Sequence, residues 1–267
     1  MTSFHLILIA IIQGVTEFLP VSSSGHLILL PQLTGMQDQG QVIDVAVHVG
    51  SLVAVILYFW ADVKEACLGM TRLIRGKVDT PAASLALGLC IATVPVVLAG
   101  LVLKLTGWNE MLRSVALIGW TMLIFGVVLY WADRTGGTTK DIGRWTLKDA
   151  VIMGCWQAVA LLPGTSRSGI VITGARRLGY NRQDSARISM LMSIPTIIAS
   201  GLLIGAEVLT TADATAARNG AIAAVFSCIA ALIALSLMMR LLRSISFTPY
   251  VIYRVALGLV LLVLAYS

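Results

Sequence analysis

The chain has 267 residues, 28.4 kDa, of which 58% are apolar and only 12% charged. A typical soluble domain carries about 25% charged residues, so a soluble enzyme, a disordered chain and a secreted disulfide scaffold are all set aside; a mean hydropathy of +0.90 points to one integral membrane domain. The formal charge of +6 comes without a basic run interleaved with aromatics, so no nucleic-acid partner is expected.

The chain opens on an apolar stretch, Phe4 to Ile12, with no Lys or Arg in front of it and no clean cleavage site behind, so no signal peptide is expected. It leads into a broken segment, Leu6–Pro31, which carries Gln13, Glu17, Pro20, the run Ser22-Ser23-Ser24-Gly25 and His26. Three apolar stretches long enough to cross a bilayer follow, near Val42–Trp60, Ala82–Leu103 and Val115–Trp131. A second broken segment, Ala150–Thr173, carries Gln157, Pro163, Gly164, Ser166, Arg167, Ser168 and Gly169. Three more spans complete the chain, near Ile188–Ala206, Ala221–Met239 and Tyr250–Tyr266. Tyr58, Trp60, Trp108, Tyr130, Trp131, Tyr250 and Tyr266 stand at span ends, where interfacial aromatics belong. The 61–81 and 132–149 stretches read as loops. Cys67, Cys90, Cys155 and Cys228 have no metal-ligand spacing and read as small core hydrophobes without disulfides.

The two broken segments are alike. Gln13-x-Val15, Leu19-Pro20 and Ser22 to Gly25 recur as Gln157-x-Val159, Leu162-Pro163 and Ser166 to Gly169. Each copy precedes three spans, so the chain reads as two halves, about 1–132 and 145–267, of one membrane domain. An odd number of spans per half makes the halves inverted, and inverted repeats meeting at broken helices build a ligand site at their interface. If neither broken segment crosses, one face holds Lys104, Arg113 and Arg218, and Arg167 sits at a loop tip. The other fifteen of the 19 basic residues then share the opposite face. Letting the second segment cross splits the same charges evenly, so the bias favours re-entry, with both termini outside. The fold expected is therefore all-α, with six transmembrane helices plus two re-entrant helix-loop-helix segments in an inverted repeat.

Ionisable residues within a membrane segment are costly and are functional candidates; here they are Glu17, His26 and Arg167. Ser- and Gly-rich loops opening a helix present free N–H groups and the positive end of the dipole to an anion. Gly25 and Gly169 permit close backbone approach. Arg167 offers a permanently charged fork for phosphate oxygens. His26 follows Ser23 by three residues, a nucleophile–base arrangement on one helical face. Glu17 is placed to orient His26 or to bind a divalent metal, and shares a face with Gln13. This set fits phosphoryl transfer; the spacing is equally compatible with a phosphate transporter.

Gln13-Gly14-Val15-Thr16-Glu17-Phe18-Leu19-Pro20-Val21-Ser22-Ser23-Ser24-Gly25-His26 resembles the first signature of the bacterial undecaprenyl pyrophosphate phosphatases, the bacitracin-resistance family. Pro163-Gly164-Thr165-Ser166-Arg167-Ser168-Gly169 is similar to the second. The likeness continues through Asp44-x-x-x-His48-x-Gly50-Ser51 and Ser246-Phe247-x-Pro249-x-x-x-Tyr253-Arg254, so it covers nearly the whole chain. It implies a multi-pass phosphatase of the bacterial cytoplasmic membrane, acting at its outer face. The reaction converts undecaprenyl diphosphate to undecaprenyl phosphate and inorganic phosphate, recycling the cell-wall lipid carrier and conferring bacitracin resistance. By the same likeness Ser23 is the nucleophile, His26 its acid/base partner and Glu17 their support, through metal or through His26. Arg167 binds phosphate, with Gln13, Ser22, Ser24, Gly164, Ser166, Ser168 and Gly169 as further contacts. The family is metal-dependent, using Mg²⁺ or Ca²⁺, with Glu17 and Gln13 as ligands here. Some relatives have Glu where this chain has Gln13; an amide carbonyl still suits a hard cation but adds no charge, so the metal is expected to bind mainly with the diphosphate. The rival reading is a transporter or flippase for a phosphorylated lipid on the same inverted repeat. The oligomeric state is left open, with a homodimer among the options.

Other polar residues read more simply. Asp44 and His48, four apart, are expected to pair and shape the outer mouth. Thr173 is a helix-lining residue. Arg176, Arg177, Arg182 and Arg187 are expected at cytoplasmic headgroups. Glu207 and Asp213 flank an outer loop and need no role.

Overall fold

The computed structural model describes residues 2–35, 40–107, 114–211 and 214–267, and side chains outside 31–34 and 203–211. Trp108, Arg113, Asp213 and the side chain of Glu207 lie outside the described residues. Eleven α-helices are described: α1 (Ser3–Phe18), α2 (Ser23–Thr34), α3 (Gln41–Tyr58), α4 (Trp60–Leu73), α5 (Pro81–Thr106), α6 (Val115–Thr135), α7 (Leu147–Val159), α8 (Arg167–Arg177), α9 (Arg182–Thr211), α10 (Ala214–Leu241) and α11 (Thr248–Tyr266). Among the described residues there is no strand, only an isolated bridge between Lys140 and Tyr180.

Local chemistry sets the helix ends. Thr2 caps α1 by accepting from the His5 amide, and α1 stops where Leu19 precedes Pro20. Thr80 caps α5, Pro81 opens it, and left-handed Gly107 closes it. Thr146 and Asp149 form a reciprocal capping box at α7. Six helices, α3, α5, α6, α9, α10 and α11, are long and apolar enough to cross a membrane. The expected spans are thus borne out. The 61–81 stretch is not a loop throughout, because α4 occupies most of it. That helix is too polar to register as a span, and it is held by burial of Asp62 and by Gly69, whose missing Cβ lets it rest on the Ala82 carbonyl.

In a bilayer, helices gain little from burying apolar surface against each other, so they associate through close packing of small residues. A Cβ on Gly50 would lie 2.1 Å from the Ala224 carbonyl oxygen, and one on Gly14 would lie 2.4 Å from that of Ser227. Both contacts fall on α10, which packs between α1 and α3. Likewise α7 packs on α5 through Gly154, close to the Ala92 carbonyl. Outside this framework Leu57, Val94, Leu98, Ile233 and Val263 are exposed, as a lipid-facing surface requires. Cys67, Cys90 and Cys155 are free and also exposed, and Cys228 is half-buried. Cys67, Cys90 and Cys155 are therefore surface residues, not core residues as expected, while Cys228 packs against the core.

Asp149, near the start of α7, accepts the Tyr180 hydroxyl at 2.6 Å just beyond the end of α8, so the start of α7 and the end of α8 lie together. Leu29, midway along α2, packs on Ile118, Met122 and Leu261, nearer the start of α6 and the end of α11. The arrangement is compatible with two re-entrant pairs.

Candidate active site

The two loops between the paired helices have matching backbones. Ser22 (φ 70°) and Ser166 (φ 67°) are the only non-glycine residues with positive φ among those described, and they stand 144 positions apart. Such a conformation costs a side-chain-bearing residue roughly 1–3 kcal/mol and marks a site held by its surroundings. In each loop that serine's hydroxyl lies against the serine two residues on, Ser22 to Ser24 at 3.1 Å and Ser166 to Ser168 at 3.2 Å. The loops touch: the Gly164 amide donates to Ser24 Oγ at 3.4 Å, and Ser168 Oγ donates to the Leu19 carbonyl at 2.9 Å. The two loops are therefore in direct contact.

The strained loops aim equivalent residues at one carboxylate. Ser23 opens α2 and Arg167 opens α8, at matching places in the repeat. Ser23 Oγ donates to Glu17 Oε2 at 3.0 Å, and Arg167 Nη2 donates to Glu17 Oε1 at 2.8 Å. Gln13, one turn below on α1, donates its amide to Glu17 Oε2 at 2.7 Å. The Glu17 side chain is buried, so its charge stands only because it is paired and hydrogen-bonded. His48 Nε2 is a further neighbour, 3.7 Å from Glu17 Oε2.

His26 is placed differently from the sequence expectation. Glu17 does not orient it, and Ser23 turns its hydroxyl to Glu17 instead. His26 Nδ1 lies 2.7 Å from the Ser22 carbonyl, and Nε2 lies 2.6 Å from the Tyr253 hydroxyl of α11. The reason is phase: the 19–22 turn breaks the helix between Glu17 and His26, so a face shared along one helix does not continue into the next. His48 also departs from its expected partner carboxylate, since its Nδ1 bonds the Asp44 backbone carbonyl at 2.7 Å and leaves Nε2 facing Glu17.

The second loop is clamped from outside. Arg254 Nη2 donates to the carbonyls of Gly164 and Thr165 at 3.1 and 2.8 Å, Thr121 Oγ1 donates to the Pro163 carbonyl, and Ser189 Oγ donates to the Ser168 carbonyl at 3.2 Å. At Gly164 (φ 85°) a Cβ would lie 2.2 Å from Thr121 Oγ1, so only glycine fits. Ser166 caps α8 through the Gly169 amide, and Thr173 bonds the Gly169 carbonyl within the helix, in keeping with a lining role. Arg254 corrects the charge map, since it is fully buried against this loop and not at the cytoplasmic surface. Arg176 is fully buried too. It and Arg182 share Asp133 Oδ1 at 3.0 and 2.8 Å, and Arg187 pairs with Asp62. Of the four arginines expected at headgroups, Arg177 alone has no carboxylate partner; it lies over Trp131 at 4.2 Å.

Several buried polar atoms around the loops have no partner: Arg167 Nη1, Gln13 Oε1, Thr165 Oγ1 and Arg254 Nε and Nη1. Unpaired polar groups in an apolar medium are costly, so their collection here is what a polar ligand would satisfy. Arg167 Nη2 holds Glu17, and its Nη1 stands without a protein partner. No cluster of three or more His, Cys, Asp or Glu occurs among the described residues. Glu17 with the open Gln13 Oε1 offers two hard oxygens, a partial set that fits a cation completed by phosphate oxygens. Spacing along the chain did not reveal His48, Thr121, Tyr253 and Arg254 as neighbours of the loops, because they come from three other long helices, α3, α6 and α11.

Comparison with known proteins agrees with the geometry. The family model described as "Bacitracin resistance protein BacA" matches residues 6–260. The chain is 69% identical to an undecaprenyl-diphosphatase of Ruegeria pomeroyi and 69% identical to one of Dinoroseobacter shibae, in both cases over all of each chain. It is 46% identical to an undecaprenyl-diphosphatase of Hahella chejuensis, over all of this chain and 99% of that protein. Both broken segments and all six long helices fall within or overlap the matched stretch, and the chain belongs to the bacitracin resistance protein BacA family.

Proposed function

We infer that this multi-pass membrane protein is an undecaprenyl-diphosphatase, cleaving inorganic phosphate from the lipid carrier diphosphate at the outer face of the cytoplasmic membrane. The observation that carries the reading is the convergence of Ser23 and Arg167, from matching helix starts, on one buried Glu17. Glu17 accepts the Ser23 proton as Oγ bonds to the terminal phosphorus. The bridging P–O bond breaks and undecaprenyl phosphate leaves as an anion that needs no added proton. The free arm of Arg167 and the amides opening α2 and α8 hold the phosphoryl oxygens. His26 Nε2 then takes a proton from the water that releases phosphate from Ser23. A bound Mg²⁺ or Ca²⁺ would be held by Glu17 and Gln13 Oε1 with the substrate's own oxygens, and would neutralise developing charge. The two halves, about 1–132 and 145–267, are read as inverted copies that contribute one loop each. Leu29 packs toward the start of α6, while Arg176 of α8 bonds Asp133 at its end, and these contacts support that reading.

Purified protein in detergent should release phosphate from a C15 or C55 prenyl diphosphate when Mg²⁺ or Ca²⁺ is added, and Ser23→Ala should not. Mass spectrometry of rapidly quenched enzyme should find phosphate on Ser23. Phosphate found on His26 would reverse the roles of the two residues, and no release by folded protein with metal would sink the reading.

A further inference from the structure

We propose that Tyr253 is a positioning residue for His26, holding the imidazole at Nε2 while the Ser22 carbonyl selects its tautomer. The proposal rests on the phosphatase reading only for what His26 does; the contact itself stands apart from it. A backbone carbonyl can only accept, so the 2.7 Å contact with Ser22 makes Nδ1 the donor. In the neutral ring Nε2 is then the acceptor, and the Tyr253 hydroxyl, 2.6 Å away, is its donor. The two rings are parallel within 4°, with centroids 5.6 Å apart, so position and tilt are restrained as well as the tautomer.

Tyr253 is itself held by its neighbour in sequence. Arg254 is fully buried and tied to the Gly164 and Thr165 carbonyls, which locks the rotation of α11. That rotation leaves Tyr253, 47% exposed, turned to the side where α2 presents His26. One dipeptide thus serves both loops: Arg254 clamps the second and Tyr253 sets the histidine of the first. The left-handed backbone of Ser22 gains a purpose too, since its carbonyl receives Nδ1. In water the Nε2–H tautomer of histidine is the commoner one, so a protein that needs Nε2 as a base must favour the other form, as these two contacts do.

The test uses full-length protein labelled with ¹⁵N-histidine in detergent; the chain has three histidines, and His26→Gln identifies the His26 signals. At about pH 8, above the usual imidazole range, His26 should be the Nδ1–H tautomer. Tyr253→Phe keeps the ring but removes the donor, while the Ser22 carbonyl still holds Nδ1–H, so the tautomer should stay and the unprotonated Nε2 resonance should move downfield as it loses its hydrogen bond. The same variant should lower kcat about tenfold with KM little changed, and should elute and melt like wild type. An unchanged Nε2 resonance in Tyr253→Phe would overturn the proposal. So would a shifted resonance with unchanged kcat. If wild-type protein releases no phosphate, the phosphatase reading fails while the Nε2 resonance still decides whether Tyr253 holds His26.

Discussion

Arg167 performs two tasks with one planar group, and that division makes it sensitive to a charge-conserving change. Nη2 holds Glu17 at 2.8 Å, while buried Nη1 has no protein partner. Lysine carries one compact ammonium and cannot serve both positions with fixed geometry. Arg167→Lys should therefore reduce kcat/KM at least about tenfold, or about 1.4 kcal/mol, with the protein still folded. Near wild-type turnover would show that Nη1 does not bind phosphate. At this scale the kinds of residue were legible in the sequence: a carboxylate, a serine, a histidine and an arginine do not sit in lipid without cause. Their pairing was not. Face-sharing along a single helix tied Gln13 to Glu17 correctly, but it also tied Ser23 to His26, whereas Ser23 bonds Glu17 and His26 bonds Tyr253. His48, Tyr253 and Arg254 arrive from helices whose rotation only the fold determines.

Helices were legible wherever length and hydropathy spoke together, and less so at their polar ends. α9 begins at Arg182, several residues before its apolar run, because Arg187 in its second turn finds Asp62 on α4. The same pair explains why α4 went unseen: its stabilising partner lies 125 residues away. Packing between helices gives a sharper test. Gly50→Ala places a methyl 2.1 Å from the Ala224 carbonyl and must push α3 off α10, at a cost of about 1–3 kcal/mol. Gly201→Ala, on α9 where a Cβ meets nothing within 4 Å, should instead gain up to about 1 kcal/mol of helix propensity. Thermal unfolding in detergent should thus move in opposite directions for the two substitutions. A second test concerns the cap of α7. Burial alone would raise the Asp149 carboxyl, but the Tyr180 hydroxyl, the Thr146 contacts and the Lys140 ammonium outweigh it and hold the group below its usual range. A carboxyl depressed in the folded state stabilises above its unfolded pKa, near 3.8, and that contribution is lost as pH falls through the lower folded value. The melting temperature should fall on acidification below about pH 4, and Asp149→Asn should flatten that part of the profile.

At the scale of the whole molecule the charges and the contacts bear on one question together: whether the second broken segment crosses the membrane. Asp133 at the end of α6 collects Arg176 from α8, Arg182 from α9 and the Phe247 amide just before α11. The Asp149 to Tyr180 bond brings the start of α7 to the same end. A segment that crossed would carry α8 and the start of α9 to the far side and separate every one of these partners. By the bias of basic residues that shared end is expected on the cytoplasmic side, even after Arg254 and Arg176 are moved from the surface to the interior. Single cysteines placed in protein whose four native cysteines have been replaced test this in cells. Ala214→Cys and Ser267→Cys should react with a membrane-impermeant maleimide added from outside. Gly76→Cys and Gly143→Cys, both on exposed backbone at the charged end, should react only in inverted vesicles. Labelling of Ala214→Cys and Ser267→Cys from the same side as Gly76→Cys would mean that the second pair crosses, and the inverted relation of the halves would fall with it. Labelling as expected would leave Ser23 and Arg167 approaching one carboxylate from loops that enter the bilayer from opposite faces.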